Sequence, residues 1–155
     1  MDAVFQIIEE VDENVEFKVK ISMLEIYNEK IKDLLNPEKD NLKVKESKKT
    51  GVFVDGCKEV FVGSSEDMKS VMALGAKNRA VASTRMNAVS SRSHSILMMT
   101  IEQRNLETDS SKESRVYFVD LAGSEKISKT NVKGQQLKEA QNINKSLTTL
   151  GIVIN

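Results

Sequence analysis

Apolar positions at Val4, Ile7, Ile8 and Val11 recur at the spacing of one helix face and predict a helix over 3–11. Phe17, Val19, Ile21 and Met23 then alternate with Lys18, Lys20 and Ser22, which predicts a strand with one wetter face. The segment 29–35 (EKIKDLL) predicts a short helix stopped at Asn36-Pro37, since a residue before proline is pushed out of the α region. Residues 36–51 are polar and rich in lysine, and short β pieces are expected near 42–44, 52–54 and 59–62. Ser64 with Asp67 after it is a helix-start signal, and Met68, Val71, Met72 and Ala76 follow at helical spacing. Residues 83–95 are rich in Ser and Asn and read as a loop. Strands are expected at 95–104 and 115–121, joined by a polar turn, and 122–134 reads as a second loop. Leu137, Ala140, Ile143, Leu147, Leu150 and Ile154 predict a last helix. Neither end carries a helix start or stop signal, so both are expected to be cut points within a larger domain.

Composition narrows the class. The chain has 155 residues, 39% of them hydrophobic and 30% charged, which suits one globular domain rather than a disordered segment. Lys+Arg 23 balances Asp+Glu 23, and a net charge of 0 excludes attachment to nucleic acid by bulk positive charge. The single cysteine, Cys57, excludes an internal disulfide, and with a single histidine a structural zinc site is not expected. Uninterrupted apolar runs reach only four residues, too short to span a bilayer. The mixed, acidic N-terminus is not a signal peptide, so a reducing intracellular compartment is expected.

The chemistry concentrates around one apolar run. Residues 116–119 are Val-Tyr-Phe-Val and end at Asp120, a pattern that suits a strand buried on both faces. Ligands in α/β sheets bind beyond the carboxyl ends of strands, which would put Asp120 at the mouth of a site able to hold Mg²⁺. Alone, Asp120 reads first as an aspartate capping the next turn. Gly123 changes that: D-x-x-G is the form of a switch that senses a γ-phosphate, because a glycine N–H can approach a phosphate oxygen. Glu125 follows. Upstream, Asn87 precedes Ser90-Ser91-Arg92-Ser93-His94-Ser95, whose hydroxyls can ligate Mg²⁺ or orient water. Arg92 can pair with Glu125 and hold the two loops together. The plainer readings are turn chemistry for the serines, a surface ion pair for Arg92, and a hydrogen-bonded structural role for His94.

Taken together, N-A-V-S-S-R-S-H-S (87–95), V-D-L-A-G-S-E-K (119–126), N-I-N-K-S-L-T-T-L-G-I-V-I (142–154) and L-E-I-Y-N-E-K-I-K-D-L-L (24–35) resemble the kinesin motor domain over essentially the whole chain, closest to the conventional class. The resemblance implies an α/β fold of the P-loop NTPase type, a central mixed β-sheet flanked by helices, present as a single partial motor domain over 1–155. It implies a microtubule-based motor ATPase that binds ATP and Mg²⁺, in the cytoplasm on the microtubule cytoskeleton. Switch I (87–95) would supply Asn87 to the nucleotide, Ser91 to Mg²⁺ and Ser90 to the attacking water. Switch II (119–126) would hold Mg²⁺ through water at Asp120 and sense the γ-phosphate at the Gly123 N–H, while Arg92 and Glu125 close the site and relay a proton.

A loop and helix over 126–155 would face tubulin through Lys126, Lys129 and Lys133, with Lys30, Lys48 and Lys49 adding to that face and Lys138 continuing the basic stretch. Gln141 stands where conventional kinesins tend to carry lysine, so weaker track affinity is implied. The partner is tubulin, with no nucleic acid and no membrane insertion, and the complete protein is expected to be a homodimer through a stalk.

One family element is absent from these residues. None of the seven glycines heads a Gly-Lys-Ser/Thr ending, so G-x-x-x-x-G-K-[S/T] does not occur. The expectation is a motor fragment, poorly stable and weak or inactive as an ATPase when isolated, with sheet edges exposed. The alternative is a non-catalytic, kinesin-like module that binds tubulin. A different Mg-dependent nucleotide switch is less well matched, since the guanine-reading N-K-x-D is absent.

Overall fold

Helix α1 (Asp2–Glu10) turns Phe5 into the core and leaves its polar side to water. Its first turn is anchored to the next helix, with Lys69 Nζ at 2.9 Å from the Asp2 carboxylate and the Ser65 hydroxyl donating to the same group. These contacts hold the Asp2 carboxyl at about 2, well below the usual carboxylate range. The computed structural model describes residues 2–11, 13–48, 51–84, 89–123 and 135–154, with backbone alone at 82–84, 89–90 and 135–137.

Strand β1 (Val15–Tyr27) is the spine of the sheet. It pairs along one edge with β6 (His94–Asn105), which in turn pairs with β7 (Ser111–Asp120). The other edge of β1 takes β5 (Val60–Val62) and β2 (Lys30–Asp33). Every pairing among the described strands is antiparallel. Register follows the hydrophobic pattern: Ile21 lies opposite Met99 and Val60, and Met23 opposite Leu97. These side chains, with Val19 and Val62, form one face of the sheet and pack on Phe5 of α1 and Met68 of α2 (Ser65–Thr84). Gly75 permits the close approach of α2, because a Cβ there would overlap Met23 Sδ.

The α2 start matches its sequence signal. Asp67 N–H donates to Ser64 Oγ at 3.0 Å, and the Asp67 carboxylate accepts from Gly63 N–H at 3.1 Å. Both bonds satisfy donors near the first turn that have no intrahelical acceptor.

Three expectations are corrected. Residues 30–33 are strand β2, not the start of a helix. Asn28 and Glu29 both take positive φ, 50° and 63°, which makes a tight two-residue hairpin loop between β1 and β2. Leu34 N–H then bonds Met23 C=O at 2.8 Å, so apolar residues that fit a helix face are used by the sheet instead. Second, β1 has a wet face only at its outer end. Residues 21–25 are all buried, Ser22 and Leu24 facing a cavity of about 480 Å³ that is roofed by the hairpin of β3 (Lys43–Ser47) and β4 (Gly51–Asp55). Third, β7 is exposed along its length rather than buried on both faces, with Tyr117 at 52% and Val119 at 50%. It lies at the end of the strand order β2–β1–β6–β7, so nothing among the described residues covers its outer edge.

Asp33 fastens the loops beneath this sheet. Its carboxylate is 1% exposed and accepts the N–H groups of Leu35 at 2.8 Å, Asn36 at 3.0 Å and Lys58 at 2.7 Å. Helix α3 (Gln135–Ile154) completes the fold. No described helix is long and apolar enough to cross a membrane.

Candidate functional site

Strands β6 and β7 bring the sequence motifs together. Ser95 pairs with Asp120, so the residues just before β6 and just after β7 emerge at the same end of the sheet. A short 3₁₀ turn, Val89–Arg92, precedes β6, and residues 121–123 follow β7. Gly123 N–H donates to Ser91 C=O at 2.9 Å, joining the S-S-R and D-x-x-G segments directly. The expected phosphate-sensing donor is therefore satisfied by protein here, and must leave that carbonyl to reach a phosphate. A Cβ on Gly123 would meet Ser91 O at 3.6 Å, an ordinary contact, so sterics do not demand glycine at this point.

Asp120 ends β7 with its side chain 71% exposed, and Arg79 of α2 donates to it from Nη1 at 2.8 Å. The same guanidinium reaches Ser93 C=O at 3.2 Å from Nη2 and lies 3.7 Å from the Glu25 carboxylate. Ser93 is fully buried, and its hydroxyl donates to Glu25 at 2.7 Å. Arg79 thus links helix α2, the core strand β1 and the exposed carboxylate. Sequence reading did not find Arg79 or Glu25, because a charge on a helix or strand face usually indicates a solvated position, and the Ser93 hydroxyl serves Glu25 rather than a metal or water.

Arg92 donates to Glu139 of α3 at 3.4 Å, and Tyr27 OH donates to the other carboxylate oxygen at 2.8 Å. Burial first, then the Glu139 bond, push the Tyr27 phenol above its usual value. The expected partner of Arg92, Glu125, lies outside the described residues, as do Lys49, Asn87, Lys126, Lys129 and Lys133, and the side chain of Ser90. Lys30, Lys48 and Lys138 are exposed. His94 is hydrogen-bonded through both ring nitrogens: Nδ1 accepts from Ala122 N–H at 3.0 Å, and Nε2 lies 2.7 Å from Ser146 Oγ. Burial lowers the His94 pKa below its usual 6.5.

The donor set suits Mg²⁺ held together with a phosphate. Among the described residues no three His, Cys, Asp or Glu side chains converge to hold an ion. Mg²⁺ takes few protein oxygens and keeps water and substrate phosphates, so the exposed Asp120 carboxylate, here bound to Arg79, and the exposed Ser91 are donors of the kind it takes without a cage.

The comparisons give the family and the fold. The kinesin motor domain family model matches residues 1–155. The Dictyostelium discoideum "Kinesin-related protein 3" is 56% identical over 155 residues, 100% of this chain and 13% of that protein. The Syncephalastrum racemosum kinesin heavy chain is 57% identical over 142 residues, 92% of this chain and 15% of that one. The solved structure of a fast kinesin superposes with a TM-score of 0.90 at 51% identity, covering 99% of this chain and 43% of that chain. A KIF14 dimer bound to a microtubule with AMP-PNP superposes with a TM-score of 0.78 at 38% identity, covering 97% of this chain and 44% of that one. The chain therefore spans less than half of the solved motors it matches and has the kinesin motor fold over that part. With the family model covering every residue, this chain belongs to the kinesin motor-domain family.

Proposed function

We propose that the chain is the switch-bearing and track-facing part of a microtubule-based motor ATPase, a partial motor domain over 1–155 with switch I at 87–95, switch II at 119–126 and the track-binding loop and helix at 126–155. The observation that carries the reading is the Gly123 N–H to Ser91 C=O bond, with Asp120 exposed beside it. It brings together the two segments that a γ-phosphate would have to separate or hold.

In this reading Ser91 and Asp120 would hold Mg²⁺ with ATP, Asp120 through water, and Asn87 would contact the nucleotide. Magnesium bound there neutralises charge on the phosphates. Ser90 orients the attacking water, and Gly123 exchanges its bond to Ser91 for one to the γ-phosphate. Arg92 leaves Glu139 for Glu125, which closes the site and relays the water's proton. The catalysis is positioning and charge stabilisation, as phosphoryl transfer requires. Lys30, Lys48, Lys126, Lys129 and Lys133 face the acidic track, a fit of opposite charges. The relative solved on a microtubule supports tubulin as the partner. The complete protein works in the cytoplasm on microtubules, as a homodimer through a stalk.

The test is steady-state ATP turnover by the intact gene product with and without microtubules. Turnover stimulated by microtubules, and abolished by Glu125→Ala, supports the reading. Tubulin binding without turnover overturns the ATPase assignment.

A further inference from the structure

His94 is buried, with 7% of its surface exposed, and is the only histidine in the sequence. Its neighbours determine its proton. Ala122 N–H can only donate, so Nδ1 is the acceptor and carries no hydrogen. The neutral ring then bears its hydrogen on Nε2, which donates to Ser146 Oγ at 2.7 Å. The Ser146 hydroxyl in turn donates to Ile143 C=O at 2.7 Å. Ala122 lies inside the D-x-x-G segment, and Ser146 and Ile143 lie on α3. One directed chain therefore runs from the segment beside the expected phosphate sensor, through a single imidazole, to the helix.

The imidazole sits between β1 and α3. The crevice bounded by Ile26, Arg92, His94 and Ser146 is small, about 10 Å³. His94 itself is fixed at the start of β6, opposite Ile26 of β1.

We propose that His94 is a positioning residue that transmits displacement of the 120–123 segment to α3, by holding Ala122 N–H on one ring nitrogen and the Ser146 hydroxyl on the other. This rests on the proposed coupling of nucleotide to microtubule binding. If residues 121–123 move, the imidazole either follows and draws on Ser146, or one of its bonds breaks. His94 does not contact the reacting atoms.

The experiment uses the intact gene product and the variants Ser146→Ala, His94→Asn and their double. Asparagine places its carboxamide near the Nδ1 position, so it keeps an acceptor for Ala122 and loses the reach to Ser146. The readouts are the ratio of microtubule affinity in ADP to that in a non-hydrolysable ATP analogue, and ATP turnover without microtubules. Each single variant is expected to shrink the ratio about fivefold or more, in the range of known coupling energies, and by more than any fall in basal turnover. The double variant should be no worse than either single, because both cut one link.

A ratio unchanged in Ser146→Ala, additive losses in the double, or equal falls in basal turnover overturn the proposal. A second measurement separates failure of the link from failure of the motor reading: the imidazole ¹⁵N spectrum and hydrogen exchange at Ala122. The Nε2–H tautomer, with exchange at Ala122 faster in Ser146→Ala, is expected whether or not the wild type responds to nucleotide. The Nδ1–H tautomer, or exchange indifferent to Ser146, overturns the link. A wild type without nucleotide-dependent microtubule affinity overturns the motor reading.

Discussion

Replacing Arg79 by alanine should cost far more through Glu25 than through Asp120, although distance alone ranks them the other way. Arg79 lies 2.8 Å from Asp120 and 3.7 Å from Glu25. The Asp120 side chain is 71% exposed, however, while Glu25 is 2% exposed. At 2.8 Å in water the Coulomb energy is about 1.5 kcal/mol, most of it offset by side-chain entropy and salt, so an exposed pair contributes about 0–1 kcal/mol. At 3.7 Å with an effective dielectric of about 20 it is about 4.5 kcal/mol. More important, Arg79→Ala leaves the buried Glu25 carboxylate with the Ser93 hydroxyl and without the guanidinium beside it, a change that costs about 3–5 kcal/mol. The assay is urea unfolding of the intact protein carrying Arg79→Ala, Glu25→Gln, Asp120→Asn and the two doubles. The coupling energy of the Arg79–Glu25 cycle should exceed that of Arg79–Asp120 by at least about 1 kcal/mol. Glu25→Gln should also recover part of the loss in Arg79→Ala, because no charge is then left buried. Equal couplings, or an Arg79→Ala cost under about 1 kcal/mol, would refute the argument that burial outweighs distance here.

Asp33→Ala should destabilise the protein by about 3–5 kcal/mol, because three backbone N–H groups lose a charged acceptor, and Asp33→Asn by about 1–3 kcal/mol, because one amide oxygen can still serve Leu35 and Asn36; thermal unfolding reads both. Gly123→Ala should fold with a loss under about 1 kcal/mol, since its Cβ meets only Ser91 O at 3.6 Å, yet uncouple nucleotide from microtubule affinity; unchanged coupling sinks the phosphate-sensor role. Stability should fall as pH drops below 6.5, because the unfolded state then takes up a proton at His94 that the folded state, with its lowered pKa, still refuses. The loss ends once pH passes the folded pKa, and unfolding of His94→Asn at pH 7.5 and 5.5 should show that contribution removed.

The sequence was legible where local chemistry and tertiary packing agree. Ser64 and Asp67 announced α2, and the alternation from Phe17 to Met23 announced β1. It misled where one pattern serves two structures. Ile31, Leu34 and Leu35 fit a helix face as well as a hairpin exit, and the deciding fact, positive φ at Asn28 and Glu29, is only hinted at by the asparagine. The apolar run of β7 correctly marked a strand ending at Asp120, but its burial depends on what lies beside it, and that is not written within the strand. The motif residues Ser91, Asp120 and Gly123 do meet around the ends of β6 and β7. Arg79, Glu25 and Glu139 were invisible because their significance comes from which elements they join, and no spacing along the chain encodes that.

Helix α3 is held to this site by one face at helical spacing. Glu139 meets Tyr27 and Arg92, Asn142 donates to Asn28 at 2.6 Å, and Ser146 meets His94 at 2.7 Å. These partners belong to the β1–β2 hairpin, the 3₁₀ turn and β6. Bonds at 2.6–2.8 Å have less than about 1 Å of slack before they cease to be hydrogen bonds. A slide of the helix by one residue moves it about 1.5 Å, more than any of them tolerates. The contacts therefore break together rather than one at a time, and α3 is either registered on the site or released from it. In the proposed motor, such a contact would serve as the two-state element that coupling between a phosphate site and a distant track requires. Such coupling would be reciprocal: if a track gripped α3 in a released position, the hold on Arg92 and His94 would weaken, and with it the position of the residues proposed to meet the nucleotide.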